Sequence, residues 1–266
     1  MNRTISLILI LLNFGSLQGQ LPDGKMILMR IDQNMTSENR FYSSSMIIHG
    51  RRTSVTFKLR TYTAGTKKSF TEYLFPVREQ GTKMLKLDDQ LWIYSPDADR
   101  IIQIAGHMLQ QSVMGSDLSY EDLMEDSRLT DLYEAKVTGT EMIDGRNCWI
   151  IELTSFVPDI AYHGKKIWVD QERDIPLREE MYAKSGTLLK RSELSDIVRI
   201  DERWYPLRKS FSKICSRKAK ERSFRLKRSA LIFPSPIISF PKGTSKNNDL
   251  PSGNHTGSIF EFPDRT

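Results

Sequence analysis

The residues of this chain that could do chemistry are its four histidines, its two cysteines and a few paired acids. His49, His107, His163 and His255 stand far apart. None has the short spacing that lets several imidazoles meet one zinc ion, so each reads as a surface or capped histidine. Asp97 with Asp99, and Asp117 with Asp122, are close enough in sequence to act as acid pairs in proton transfer. The first pair, however, lies in a Pro-Asp turn and the second at a helix start, where aspartate is favoured for its backbone hydrogen bonds and its charge. The sequence contains no Gly-x-Ser-x-Gly elbow, phosphate loop or dinucleotide fingerprint. The expectation is a chain that binds rather than catalyses, with no catalytic residue, no metal and no cofactor.

Cys148 falls inside an apolar strand pattern at 147–153 and reads as a small buried hydrophobe. With Cys215 as the only other cysteine, the chain is not a disulfide scaffold. The net charge is +6, and residues 211–266 carry eleven Lys and Arg against four Asp and Glu. The basic excess therefore belongs to that segment, and the rest is nearly neutral. A run such as 222–228 lacks interleaved aromatics, so nucleic acid is not an expected partner; an anionic lipid surface suits it better. At the other end, Arg3, the apolar run at 5–12 and the small residues Gly15, Ser16 and Gly19 read as a signal peptide over 1–20. The apolar run is far short of the ~20 residues of a spanning helix, and no cysteine follows it for lipid attachment. A soluble monomer exported to the periplasm is expected.

Between these ends, the positioning elements are mostly strands. Residues 22–35 read as a helix, with Ile27, Ile31 and Met35 on one face, Pro22 and Asp23 in its first turn and Gly24 weakening it. Strands are expected at 41–49, 53–62, 69–75, 81–87, 90–95 and 100–104, with Val55, Phe57 and Leu59 alternating against Thr56, Lys58 and Arg60. Residues 107–114 form a short amphipathic piece. Ser119 and Asp122 then read as a capping box that opens a second helix. Strands resume at 132–143 and 147–156 around Asp144-Gly145, whose residues accept the positive φ of a type I′ turn. Further strands are expected at 165–169, 175–182, 187–194 and 203–209. The fold class is thus mainly β with a few helices, about ten or eleven antiparallel strands, in a body ending near Ser210. Beyond it no strand or helix period is evident, and a disordered tail over 211–266, or a change of reading frame near Phe211, is expected.

With the strands in place, EYLFPVREQGTKML (72–85), LWIYSPDADR (91–100), MGSDLSYEDL (114–123) and WVDQERDIPLREEMYAKSG (168–186) carry a resemblance to the LolA-like outer-membrane lipoprotein-sorting family. It covers the body, 21–210. The resemblance implies an incomplete, LolA/LolB-like antiparallel barrel wrapped around helices, with a hydrophobic cavity for acyl chains of lipids or lipoproteins. It also implies an inner-membrane ABC-type exporter as donor and an outer-membrane acceptor. The departure is the basic segment after Ser210, where further family-like strand pattern is expected.

One stretch agrees independently of the resemblance. Both faces of 91–94 are apolar, Leu91 and Ile93 on one and Trp92 and Tyr94 on the other, which a sheet with one wet face does not need. One face could line a cavity while the other packs under a helix, and a fully buried core strand accounts for the pattern as well. The candidate cavity residues are Leu85, Trp92, Tyr94, Ile102, Met108, Leu109, Met114 and Tyr120, with the Met-rich segment 108–124 as a movable plug. The expected function is carriage of acyl chains between the inner and outer membranes. The alternative is a periplasmic sensor or regulatory module of the same fold that binds lipid or protein without transport.

Overall fold

The computed structural model describes residues 21–35, 39–50, 52–124, 128–200, 202–213 and 223–229. Helix α1 (Gly24–Met35) comes first, started by the Asp23 carboxylate, which accepts the Lys25 backbone N–H at 2.9 Å. Six strands follow: β1 (Asn39–His49), β2 (Ser54–Ala64), β3 (Lys68–Phe75), β4 (Lys83–Leu87), β5 (Gln90–Ser95) and β6 (Arg100–Ile104). After an irregular stretch with the short helix α2 (Tyr120–Met124) come β7 (Tyr133–Ile143), β8 (Arg146–Ser155), β9 (Gly164–Asp170), β10 (Pro176–Tyr182), β11 (Leu188–Ile200) and β12 (Arg203–Lys213). A last strand, β13, spans Ser223–Ser229.

All thirteen strands belong to one antiparallel sheet in the order β6-β5-β4-β3-β2-β1-β13-β12-β11-β10-β9-β8-β7. It is two six-stranded meanders joined through β13, which pairs with β1 on one side and β12 on the other. The sheet is curved and does not close, since β6 and β7 are its outermost strands. This is the incomplete barrel expected of the sequence.

Local signals account for much of this. Asp144 and Gly145 have φ of 47° and 76°, the pair of positive values a type I′ hairpin turn needs. Three departures have physical causes. The piece expected at 107–114 is two 3₁₀ turns, Gly106–Gln110 and Val113–Gly115, because Gln111 and Ser112 are extended between them. Strand β11 runs past 194 to Ile200, because β12 pairs with it in unshifted register as far as Ile200 opposite Arg203. The third is the absence of strand period after Ser210, which is corrected: β12 continues to Lys213, and β13 lies within the segment expected to be a tail. Its apolar alternation is only two residues long, Phe224 and Leu226 among basic and polar neighbours, yet its backbone fills the gap between β1 and β12. The rest of that segment, with Cys215, and the signal-peptide residues 1–20 lie outside the described residues.

The largest apolar core lies between α1 and the second meander. Ile27, Leu28 and Ile31 are at most 2% exposed and pack on Tyr133, Val137, Ile151, Leu153, Ile167 and Val169. Gly24 serves this approach, because a Cβ there would stand 2.6 Å from the carbonyl oxygen of Ala135. Polar contacts orient the helix further. The Asp32 carboxylate accepts the backbone N–H groups of Leu129 (2.9 Å) and Thr130 (3.1 Å), and Asn34 accepts the Trp204 N–H at 3.1 Å. Cys148 is fully buried beside Trp168 and Ile175, and burial pushes its thiol up to about 11.

Candidate functional site

The concave face of the first meander is built by register. Residues directly opposite in antiparallel strands share a face, so the pairing defines lateral rows. One row runs Arg40, Thr63, Ser69, Lys86, Leu91 across β1 to β5. The next is Tyr42, Thr61, Thr71, Met84, Ile93, followed by Ser44, Leu59, Tyr73 and then Met46, Phe57. Polarity falls steadily from the first row to the last.

The apolar rows are covered by residues 106–124. Met46, Phe57, Leu59, Tyr73, Met84, Leu91 and Ile104 pack with Leu118, and Met108, Leu109, Met114, Tyr120, Leu123 and Met124 lie half-buried against them. Tyr73 donates its hydroxyl to the Met84 sulfur at 3.6 Å, and burial pushes its phenol up. The covering segment satisfies much of its own backbone. The Val113 N–H reaches Leu118 O at 2.7 Å, the Tyr120 N–H reaches Gln111 O at 3.1 Å, and the Ser116 hydroxyl donates to Val113 O at 2.7 Å. The capping box forms as the sequence suggests, with the Ser119 N–H donating to the Asp122 carboxylate at 2.6 Å and the Asp122 N–H to Ser119 Oγ at 3.3 Å.

Among the described residues, polar contacts tie this segment to the walls through Lys86 and through Asp122. Lys86 donates to the Met124 carbonyl at 2.9 Å. Across the interior, Asp122 pairs with Lys190 of β11 at 2.5 Å, each side chain 9% exposed, and accepts the Tyr162 hydroxyl. Burial works against the Asp122 carboxylate, but the adjacent Lys190 ammonium and the Tyr162 hydroxyl outweigh it and hold its pKa below the usual range. On the second meander, Glu179 meets Lys209 at 3.0 Å and accepts the Ser192 hydroxyl at 2.6 Å. Burial raises its pKa, yet the Lys209 and Lys165 ammoniums bring it down to about 2.

Between plug, α1 and the two meanders lies a cavity of about 320 Å³. Met84, Leu91, Leu118, Leu123 and Phe211 form its apolar side, and Arg40, Thr61, Thr63, Lys86, Glu179 and Lys209 its polar side.

The eight sequence candidates divide between two faces. Met108, Leu109, Met114 and Tyr120 pack over the concave rows. Ile102 pairs with Ile93 and so shares that face, but is 45% exposed in the edge strand. Leu85, Trp92 and Tyr94 alternate to the opposite face, where they cluster with Phe70, and Tyr94 donates to Asp99 at 3.1 Å. Sequence reasoning missed Arg40, Thr61, Thr63, Lys86, Glu179 and Lys209. The signal for two of them was present: continuing the Val55, Phe57, Leu59 alternation places Thr61 and Thr63 on the same face.

A family model described as that of an uncharacterized protein matches residues 65–223. Among curated proteins no sequence match was found. An outer-membrane lipoprotein-sorting protein domain from Vibrio parahaemolyticus superposes with a TM-score of 0.68 at 21% identity, over 77% of this chain and 90% of that one. A DUF1329-family protein from Desulfovibrio piger gives 0.70 at 26% identity, over 77% and 90%. A LolA-superfamily protein from Nitrosomonas europaea gives 0.65 at 21% identity, over 79% and 92%. The fold that the resemblance implied is thus shared with these structures over 77–79% of the chain.

Proposed function

Because the chain belongs to the family whose model spans residues 65–223 and is LolA-like in fold, we propose that it is a periplasmic carrier that holds the acyl chains of lipids or lipoproteins. Cargo passes from an inner-membrane ABC-type exporter to an outer-membrane acceptor. Residues 1–20 direct export.

The observation that carries this reading is the cover over the apolar rows of the first meander. It consists of 3₁₀ turns and a five-residue helix rather than a packed helix, it is rich in methionine, and it satisfies much of its own backbone. Such a cover keeps those internal bonds when it lifts, and methionine adapts to irregular apolar partners. The 320 Å³ cavity beside it lies at the small end of the range for ligand sites, so a full acyl chain requires the plug to move. Each buried methylene contributes about 0.8 kcal/mol, so a dozen supply on the order of 10 kcal/mol before the cost of displacing the plug. No covalent or catalytic step is needed.

The test is mass spectrometry of organic extracts from protein purified without detergent, paired with titration of a fluorescent neutral acyl probe. The expected result is co-purifying lipid and saturable probe binding. A lipid-free protein that leaves the probe in solution would overturn the reading.

A further inference from the structure

The polar end of the concave wall has an unmet requirement. Arg40 and Thr63 stand opposite each other in the β1–β2 register, and both line the cavity. Arg40 Nη1 donates to the Met35 carbonyl at 3.3 Å, which anchors the guanidinium, but its Nε is buried without a partner. Thr63 is 3% exposed, and its Oγ1 also has no partner. The next row differs, since Thr61 Oγ1 and Thr71 Oγ1 meet at 3.0 Å. A buried donor without an acceptor is costly, and such groups are uncommon in folded proteins.

Among the described residues, the acids on the cavity wall do not meet this requirement. The three carboxylates on the cavity wall are engaged elsewhere, Asp32 by the Leu129 and Thr130 amides, Asp122 by Lys190 and Glu179 by Lys209. Lys86, 4% exposed, brings a further positive charge to the same row. From Arg40 the wall then becomes apolar along β1, reaching Met46 six residues on, or about 20 Å at the rise of a strand. Charge at one end and an apolar groove at the other match an amphiphile in one orientation.

We infer that the Arg40–Thr63 corner of the cavity binds the oxyanion of an acyl-bearing cargo, a carboxylate or a phosphate, while the chain lies along the rows toward Met46 and Phe57 beneath the plug. This rests on the carrier reading and adds a charge requirement to it: the cargo is an anionic amphiphile. The guanidinium Nε–H and the threonine hydroxyl donate to the anion, and charge-assisted bonds of this kind discriminate strongly against a neutral head group.

The experiment displaces a neutral fluorescent acyl probe from the full chain with palmitate, lysophosphatidate, hexadecanol or inorganic phosphate. Palmitate and lysophosphatidate are expected to compete about tenfold better than hexadecanol, the effect of one charge-assisted contact. In Arg40→Gln that advantage disappears while hexadecanol competes as before. Thr63→Val, which removes only a hydroxyl, reduces it about threefold and keeps the test valid if Arg40→Gln folds poorly. No anion advantage in the unaltered protein, or one that survives Arg40→Gln, overturns the inference and leaves the carrier reading standing. Binding of inorganic phosphate that depends on Arg40, without preference for the amphiphiles, also overturns it by assigning the corner to a soluble anion. Failure to bind either the probe or hexadecanol overturns the carrier reading and this inference with it.

Discussion

The two meanders have the same topology, but their inner faces are covered in opposite ways. The second is closed by α1, a twelve-residue helix whose Ile27, Leu28 and Ile31 are at most 2% exposed and whose Gly24 lies against the Ala135 backbone. The first is closed by turns whose methionines remain half-buried and whose hydrogen bonds run mostly within the segment itself. A long helix on an alternating sheet builds a permanent core, because its backbone is satisfied and its apolar stripe matches the sheet. A folded strap of short turns excludes water equally well but gives up less when it lifts. The difference separates the part of the molecule that sustains the fold from the part that can exchange its contacts for a ligand's.

The largest expected effect tests the permanent side. Ile31→Ala should lower unfolding free energy by about 2–5 kcal/mol in urea titration, from lost transfer energy plus the cavity left behind. Next is Asp122→Asn, which leaves Lys190 buried without its counter-charge and should cost about 3 kcal/mol. Here the loss should be local, seen as faster amide hydrogen exchange within 106–124 while α1 stays protected. Equal exchange in both regions would erase the distinction between them. Met108→Ala in the plug should cost only about 1 kcal/mol. Smallest is Ile102→Ser at the exposed edge, expected within about 0.5 kcal/mol of the unaltered protein in the same titration.

Acid provides a graded version of the same comparison. Asp122 and Glu179 have folded-state pKa values below their ordinary ones. Their contribution is therefore complete above the unfolded value near 4 and is lost as pH falls through the folded values, about 2 for Glu179. Probe binding and the 106–124 protection factors, corrected for intrinsic exchange, should thus be constant from pH 7 to 5 and change only below about pH 4. Plug opening at pH 6 would show that a group other than Asp122 holds it.

The most legible features from sequence were local ones. The Asp144-Gly145 turn and the Ser119–Asp122 cap are local devices whose residues state their own geometry, and both form as read. The concave polar rows were not legible, because Arg40, Thr63, Ser69 and Lys86 are far apart in the chain and become neighbours only through strand register. Threonine in a strand also reads as a solvent-facing residue, and only the parity of β2 betrays Thr61 and Thr63. Trp92 and Tyr94 drew attention by size, which says nothing about which side of a pleat a residue occupies. Strand β13 was hidden by composition, since a strand inserted between two others is held by main-chain pairing whatever its side chains are.

The chain leaves the sheet at β6 and rejoins it at β7, the two opposite margins of the open seam. In the proposed carrier, residues 106–124 are therefore moored at both ends and swing aside without departing. Any cargo competes with a rival that is present at fixed, high local concentration. Its apparent affinity is the intrinsic one multiplied by the fraction of time the mooring stands open. On that reading the stopper is also the ejector, refilling the groove from within the same chain.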